Sequence, residues 1–141
     1  MTVTRRQLAA LLSAMVPALP ASAQSALPTK AYVWEDLPVR VNGQNRQRAI
    51  LDGQTSTAFP IEIHETELAP GLAPHGSHKH IHDEILIVRE GTLESVINGK
   101  TATLTPGSLV YINANEEHGF RNAGGTRARY YIIALGPKKK A

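Results

Sequence analysis

The run His78-Lys79-His80-Ile81-His82-Asp83-Glu84-Ile85-Leu86-Ile87-Val88-Arg89-Glu90-Gly91 decides how this chain is read. On an extended chain successive side chains alternate faces, so His78 and His80, two apart, present both imidazoles to one side. Glu84 follows at the spacing H-x-H-x3-E, and its even offset lets the carboxylate join them. The apolar residues Ile85, Leu86, Ile87 and Val88 mark the chain beyond as a buried strand. Two imidazoles and a carboxylate on one face suit a divalent transition metal with coordination positions left open.

A fourth donor has to come from elsewhere, and His118 supplies it within the segment Gly107 to Asn122. Together the two stretches resemble the paired signatures of the cupin superfamily, G-x5-H-x-H-x3,4-E-x6-G and G-x5-P-x-G-x2-H-x3-N. His78, His80, Glu84 and Gly91 fall at the first spacing, with Gly71 one residue upstream of the usual leading glycine. Gly107, His118 and Asn122 fit the second, with Asn113 in place of proline and Asn115 in place of glycine. Asparagine tolerates the left-handed backbone better than most residues, so Asn115 is expected to hold the same turn. The resemblance covers residues 57–135 and implies a metal site of His78, His80, Glu84 and His118.

The flanking sequence reads as short strands. Tyr32 to Trp34, Val39 to Val41, Arg48 to Leu51 and Ala58 to Leu68 are strand candidates, separated by the turn signals Asn42-Gly43 and Asp52-Gly53. After Gly91, strands are expected over 92–97 and 100–104 around Asn98-Gly99, then over 108–112, 118–122 and 128–135. Many short strands and no convincing helical period beyond the N-terminus mean an all-β barrel or sandwich. The cupin resemblance selects the double-stranded β-helix, or jelly-roll barrel.

The N-terminus has a different character. Arg5-Arg6 precedes the apolar run Leu8 to Leu19, too short to span a bilayer, and Ala21-Ser22-Ala23 forms a small-residue cleavage site. A cleaved signal helix over 1–23 is expected, leaving lead-in and strands over 24–56, the barrel over 57–135 and a basic tail over 136–141. The arginine pair resembles a Tat signal, a Sec signal being the alternative, and either implies a periplasmic or secreted protein. Loss of Arg5 and Arg6 leaves 13 basic residues (15 less 2) against 12 acidic ones. A charge of +1 gives no support to nucleic-acid binding, and no membrane contact is expected after cleavage. With no cysteine, stability must come from a core, which 118 mature residues (141 less 23) are enough to bury.

The remaining candidates are weighed against ordinary structural roles. His75 and His82 lie outside the motif spacing, although the parity of His82 would let it replace a ligand. His64 reads as surface-facing, out of phase with Ile61 and Ile63. Phe120 and Asn122 share parity with His118 and should accompany it inward. Tyr111, Tyr130 and Tyr131 are not separated by alternation, and Trp34 reads as a core or dimer-interface anchor. Glu116 and Glu117 read as a solvated turn.

Three imidazoles and one carboxylate leave a divalent ion at about +1 with open positions, suited to Lewis-acid chemistry or to O2 with substrate. Iron or manganese is favoured, with nickel, copper and zinc as alternatives. The resemblance implies a metal-dependent oxygenase or related enzyme acting on a small organic molecule, Glu84 being the catalytic residue because no separate general base is identifiable. The alternative is a non-catalytic periplasmic binding or sensing module with a structural metal. An inward-facing acid or tyrosine opposite the metal would favour catalysis. A homodimer is expected, paired through the N-terminal strands.

Overall fold

The computed structural model describes residues 25–138. The expected signal helix and the end of the basic tail lie outside the described residues. Nine strands follow one another: β1 (Val39–Asn42), β2 (Asn45–Gln54), β3 (Pro60–Leu68), β4 (Asp83–Glu90), β5 (Leu93–Ile97), β6 (Lys100–Leu104), β7 (Leu109–Ile112), β8 (His118–Asn122) and β9 (Ala128–Leu135). They form a six-stranded sheet ordered β1-β2-β3-β9-β4-β7 and a three-stranded sheet ordered β6-β5-β8. Every pairing between these strands is antiparallel. This is the all-β jelly roll that the strand pattern and the resemblance imply.

The core lies between the sheets. Leu86, Val88, Tyr130 and Ile132 of the larger sheet pack with Leu93, Leu104 and Phe120 of the smaller one. Alternation along β9 shows why these residues are chosen: Ala128, Tyr130, Ile132 and Ala134 are buried, while Arg129, Tyr131, Ile133 and Leu135 are only partly so. The Asn98-Gly99 turn has φ of 47° and 77° at its two central residues, as a two-residue hairpin with the right-handed twist requires.

Two expectations need correction. Tyr32 to Trp34 is not a strand: Trp34–Asp36 forms one 3₁₀ turn, closed by Leu37 N–H to the Trp34 carbonyl (3.3 Å). Pro38 beyond it lacks a donor and restrains the residue before it, which holds this segment off a ladder. Trp34 itself is half-buried between the guanidinium groups of Arg48 and Arg89, 4.4 and 5.0 Å from its ring. The strand expected from Ala58 starts instead at Pro60, because Ala58 (φ 61°) closes a turn onto Thr55.

The outer face of the larger sheet carries an ion-pair layer. Glu65, 4% exposed, meets Arg89 at 2.8 Å, and Glu67 meets Arg127 and Arg129 at 2.9 Å each. Buried carboxylates are tolerable here because each has a guanidinium partner.

Candidate metal centre

The first motif does not lie on a strand at its histidines. His78 and His80 sit in the approach to β4, and His78 is tied to β8 of the other sheet by a two-hydrogen-bond bridge. His78 N–H donates to the His118 carbonyl (3.0 Å) and His118 N–H to the His78 carbonyl (2.9 Å). That bridge brings a sequence-distant imidazole beside the local pair. Donor nitrogens of His78, His80 and His118 lie within 4.8 Å of one another. Glu84, 7% exposed on β4, reaches His80 Nε2 at 3.2 Å and His118 Nε2 at 3.7 Å. The three histidines therefore form one donor group, Glu84 adjoins it through His80 and His118, and His78, His80 and Glu84 line the cavity between the sheets.

Backbone acceptors aim the rings. His80 Nδ1–H donates to the His82 carbonyl (2.8 Å) and His118 Nδ1–H to the Glu116 carbonyl (2.9 Å), which leaves both Nε2 atoms as acceptors turned toward Glu84. His118 is 1% exposed, and its Nε2 is buried without a hydrogen-bond partner. A buried, unpartnered imidazole nitrogen among other imidazoles and a carboxylate is costly for a packed core but suited to a cation. His78 fits the same reading, since burial and then the neighbouring rings of His75, His118 and His80 push its pKa down to about 4, keeping it neutral at ordinary pH. The residues present fit a divalent metal.

His82 is closer to this centre than its spacing implies. It forms a second donor group with His80 and Glu84, and its ring stacks on His80 with centroids 3.7 Å apart. His75 stands edge-on to His78 at 4.2 Å, on the cavity rim. Asn115 adopts φ 66°, and its N–H reaches the His80 carbonyl (2.6 Å), so the asparagine does hold the turn and also fastens the ligand loop. Phe120 lines the cavity, while Asn122, fully buried, gives its amide to the carbonyls of Leu68 (3.0 Å) and Thr126 (2.8 Å) and is structural. Of the tyrosines, only Tyr130 lines the cavity, and burial pushes its pKa up. Tyr111 faces out, half exposed, and donates to Asp83 (2.9 Å).

The residue that sequence reasoning misplaced is His64. It lines the cavity of about 570 Å³ together with Glu62 and Thr66. Leu68, fully buried on the same strand, has the parity of His64, whereas Ile61 and Ile63 have the opposite one. The signal was present in Leu68. Both faces of β3 carry apolar residues, and that masked it.

The cupin-domain profile matches residues 64–134, half of the chain, and the protein belongs to the cupin domain family. It is similar to an L-ectoine synthase of Bordetella parapertussis, 33% identical over 78 residues, which cover 55% of this chain and 58% of that protein. The chain thus spans less than two thirds of that curated relative. Among solved structures it resembles an RmlC-like cupin from Shewanella frigidimarina, with TM-score 0.66, 16% identity, and 83% of this chain and 96% of that one covered. The polyketide cyclase RemF from Streptomyces resistomycificus also superposes with TM-score 0.66, at 20% identity over 80% of this chain and 83% of that one. At such identities these likenesses establish the fold.

Proposed function

We propose that this cupin is a metal-dependent enzyme acting on a small organic molecule inside the barrel. The observation that carries it is the donor group of His78, His80 and His118, with Glu84 against His80 and His118, beside a cavity of about 570 Å³ that His78, His80 and Glu84 line. A divalent transition metal held by these residues, iron or manganese first and nickel, copper or zinc otherwise, would supply Lewis acidity or a place for O2 beside the substrate. Glu84 offsets one of the two charges, and Phe120, Ile132 and Ala134 give the cavity an apolar wall.

Oxygenase chemistry is the first assignment, because three imidazoles and one carboxylate leave positions for O2 and substrate together. The names L-ectoine synthase and polyketide cyclase, which belong to the relatives, support a second assignment in which the metal polarises a substrate without O2. Glu62 and His64 in the cavity weigh against a purely binding module, for which an apolar pocket suffices. Metal analysis of natively produced protein, followed by an O2-uptake screen with organic acids and phenols, tests the reading. Bound metal with substrate-dependent O2 consumption is expected. Metal without O2 uptake sinks the oxygenase assignment, and protein without metal sinks the enzyme reading.

Export and pairing complete the proposal. Arg5-Arg6 and Ala21-Ser22-Ala23 support a mature, periplasmic or secreted chain starting at Gln24, which N-terminal sequencing checks. Val39 and Val41 on edge strand β1, 42% and 69% exposed, support a homodimer paired through the N-terminal strands, which light scattering at tens of micromolar checks.

A further inference from the structure

Glu62 and Glu84 belong to one row across the larger sheet. Glu62 pairs with Ala134 on β9, and Ala134 pairs with Glu84 on β4, so all three point to the same face. Two interstrand steps put the backbone of Glu62 roughly 10 Å from that of Glu84. Ala134 between them contributes only a methyl group, which leaves the space above it open as cavity. His64 stands one residue pair along the same face, over Ile132. The far wall of the cavity therefore carries a histidine and a carboxylate of its own.

These two are bonded to each other. His64 Nδ1 lies 3.2 Å from Glu62 Oε1, and Lys138 Nζ lies 3.0 Å from Glu62 Oε2 while also reaching Asp52. The hydrogen bond from His64, with help from Lys138 against the cost of burial, holds the Glu62 carboxyl down to about 2. Glu62 is then a carboxylate at ordinary pH and can only accept, so the Nδ1–H of His64 donates to it and Nε2 is the ring nitrogen left to face a substrate. Among the described residues Nε2 has no hydrogen-bond partner, and the ring lines the cavity. An ion pair with a merely structural role in this sheet has another address: Glu65 and Arg89 pair on the outer face. Other charged and titratable groups that line this cavity are Arg40 and Arg46, Glu84 across Ala134, and the imidazoles of His75, His78, His80 and His82.

We propose that His64, oriented by Glu62, is the proton-transferring residue of this cavity, acting on a small carbonyl compound held between it and the His78, His80, His118 and Glu84 cluster. The proposal rests on the metal-enzyme reading above and names its substrate class. The substrate places its carbonyl oxygen toward the cluster and the adjacent C–H toward His64. Nε2 takes the proton, the C–H bond electrons move into the carbonyl system as an enolate, and the charge on oxygen develops at the cationic end. Return of a proton from the imidazolium to the same carbon completes an exchange, and its return to the neighbouring carbon of a hydroxycarbonyl enediolate completes an isomerisation, in both cases with no oxidant. Glu62 fixes the tautomer and offsets the imidazolium charge, as a carboxylate does behind a catalytic histidine. His64 is a catalytic residue here and Glu62 a positioning residue.

The test uses zinc-loaded protein in D2O with pyruvate and dihydroxyacetone as probes, wash-out of their C–H protons being followed by proton NMR. Metal content is measured on every sample. Wild-type protein is expected to exchange protons above a free-zinc blank. His64→Ala should lower that rate by roughly 100-fold or more with metal content unchanged, and free imidazole should restore part of it. Glu62→Gln should keep metal and folding but lower the rate and displace its pH profile. Loaded wild-type protein that exchanges neither probe, or a His64→Ala variant as fast as wild type, overturns the proposal. Wild-type protein that takes up no metal overturns the metal-enzyme reading itself, and this inference with it.

Discussion

The ring of His82 lies on the ring of His80, 3.7 Å between centroids and 8° from parallel, while the His82 carbonyl accepts a hydrogen bond from His80 Nδ1–H. His82 thus supports a ligand mainly through its backbone, which a side-chain substitution leaves in place. His118 holds its place in the centre through its own Nε2. His118→Ala should weaken metal binding by roughly 100-fold or more, and His82→Ala by less than about 10-fold, both with folded circular-dichroism spectra. Titration with zinc or manganese under calorimetry measures the two. The reverse order would mean that the metal is held by the sequence-local histidines alone.

Acid should destabilise the metal-free fold in two separable windows. His78 is held at about 4 in the fold against 6.5 in the unfolded chain, so between these values the unfolded chain binds the extra proton. Its stabilising contribution is complete above pH 6.5 and is lost as pH falls through 4. Glu62, held at about 2 against 4.5, contributes fully above pH 4.5 and loses that contribution as pH falls toward 2. Urea midpoints of metal-free protein should therefore decline already between pH 6.5 and 4, and His78→Ala should flatten that part of the curve. An unchanged slope in the variant would show that His78 is not the responsible group.

Gly91, which closes the first motif, has φ 77°, and a Cβ there would stand 2.7 Å from both the Ala128 Cα and the Arg127 carbonyl oxygen. Neither neighbour is a flexible side-chain end. Gly91→Ala should cost more than about 2 kcal/mol, whereas Gly99→Ala, at the same φ but in open space, should cost about 1 kcal/mol of backbone strain alone. Urea unfolding of the two variants checks the difference. Equal losses would show that the close approach of β9 contributes nothing.

Most of the strand order was legible because alternation and turn residues coincide: Asn98-Gly99 sits between two apolar-polar runs, and the structure turns there. The cluster of histidines and Glu84 that could hold a metal was legible for a different reason, namely that the spacing of His78, His80 and Glu84 survives, with His118 at a fixed place after Gly107. The placement of His64 was not. Ile61 and Ile63 advertise an apolar face, yet they point away from the core, and Leu68 alone marks the inward parity. Where a sheet carries apolar residues on both faces, period two locates a strand without saying which side is inside. The turn at Trp34 was missed because Tyr32, Val33 and Trp34 favour strands locally, and the Arg48 and Arg89 contacts that hold the indole come from elsewhere in the chain.

Trp34 is the one tryptophan of the chain, and it rests between two guanidinium groups that belong to different strands, Arg48 of β2 and Arg89 of β4. This gives the molecule an optical gauge of a single event. Lifting of the N-terminal segment would move the indole into water and redden its emission, while the strands beneath kept their ladder. Fluorescence and far-ultraviolet dichroism, recorded through one denaturation, would then part company by the interval between undocking of that segment and collapse of the barrel.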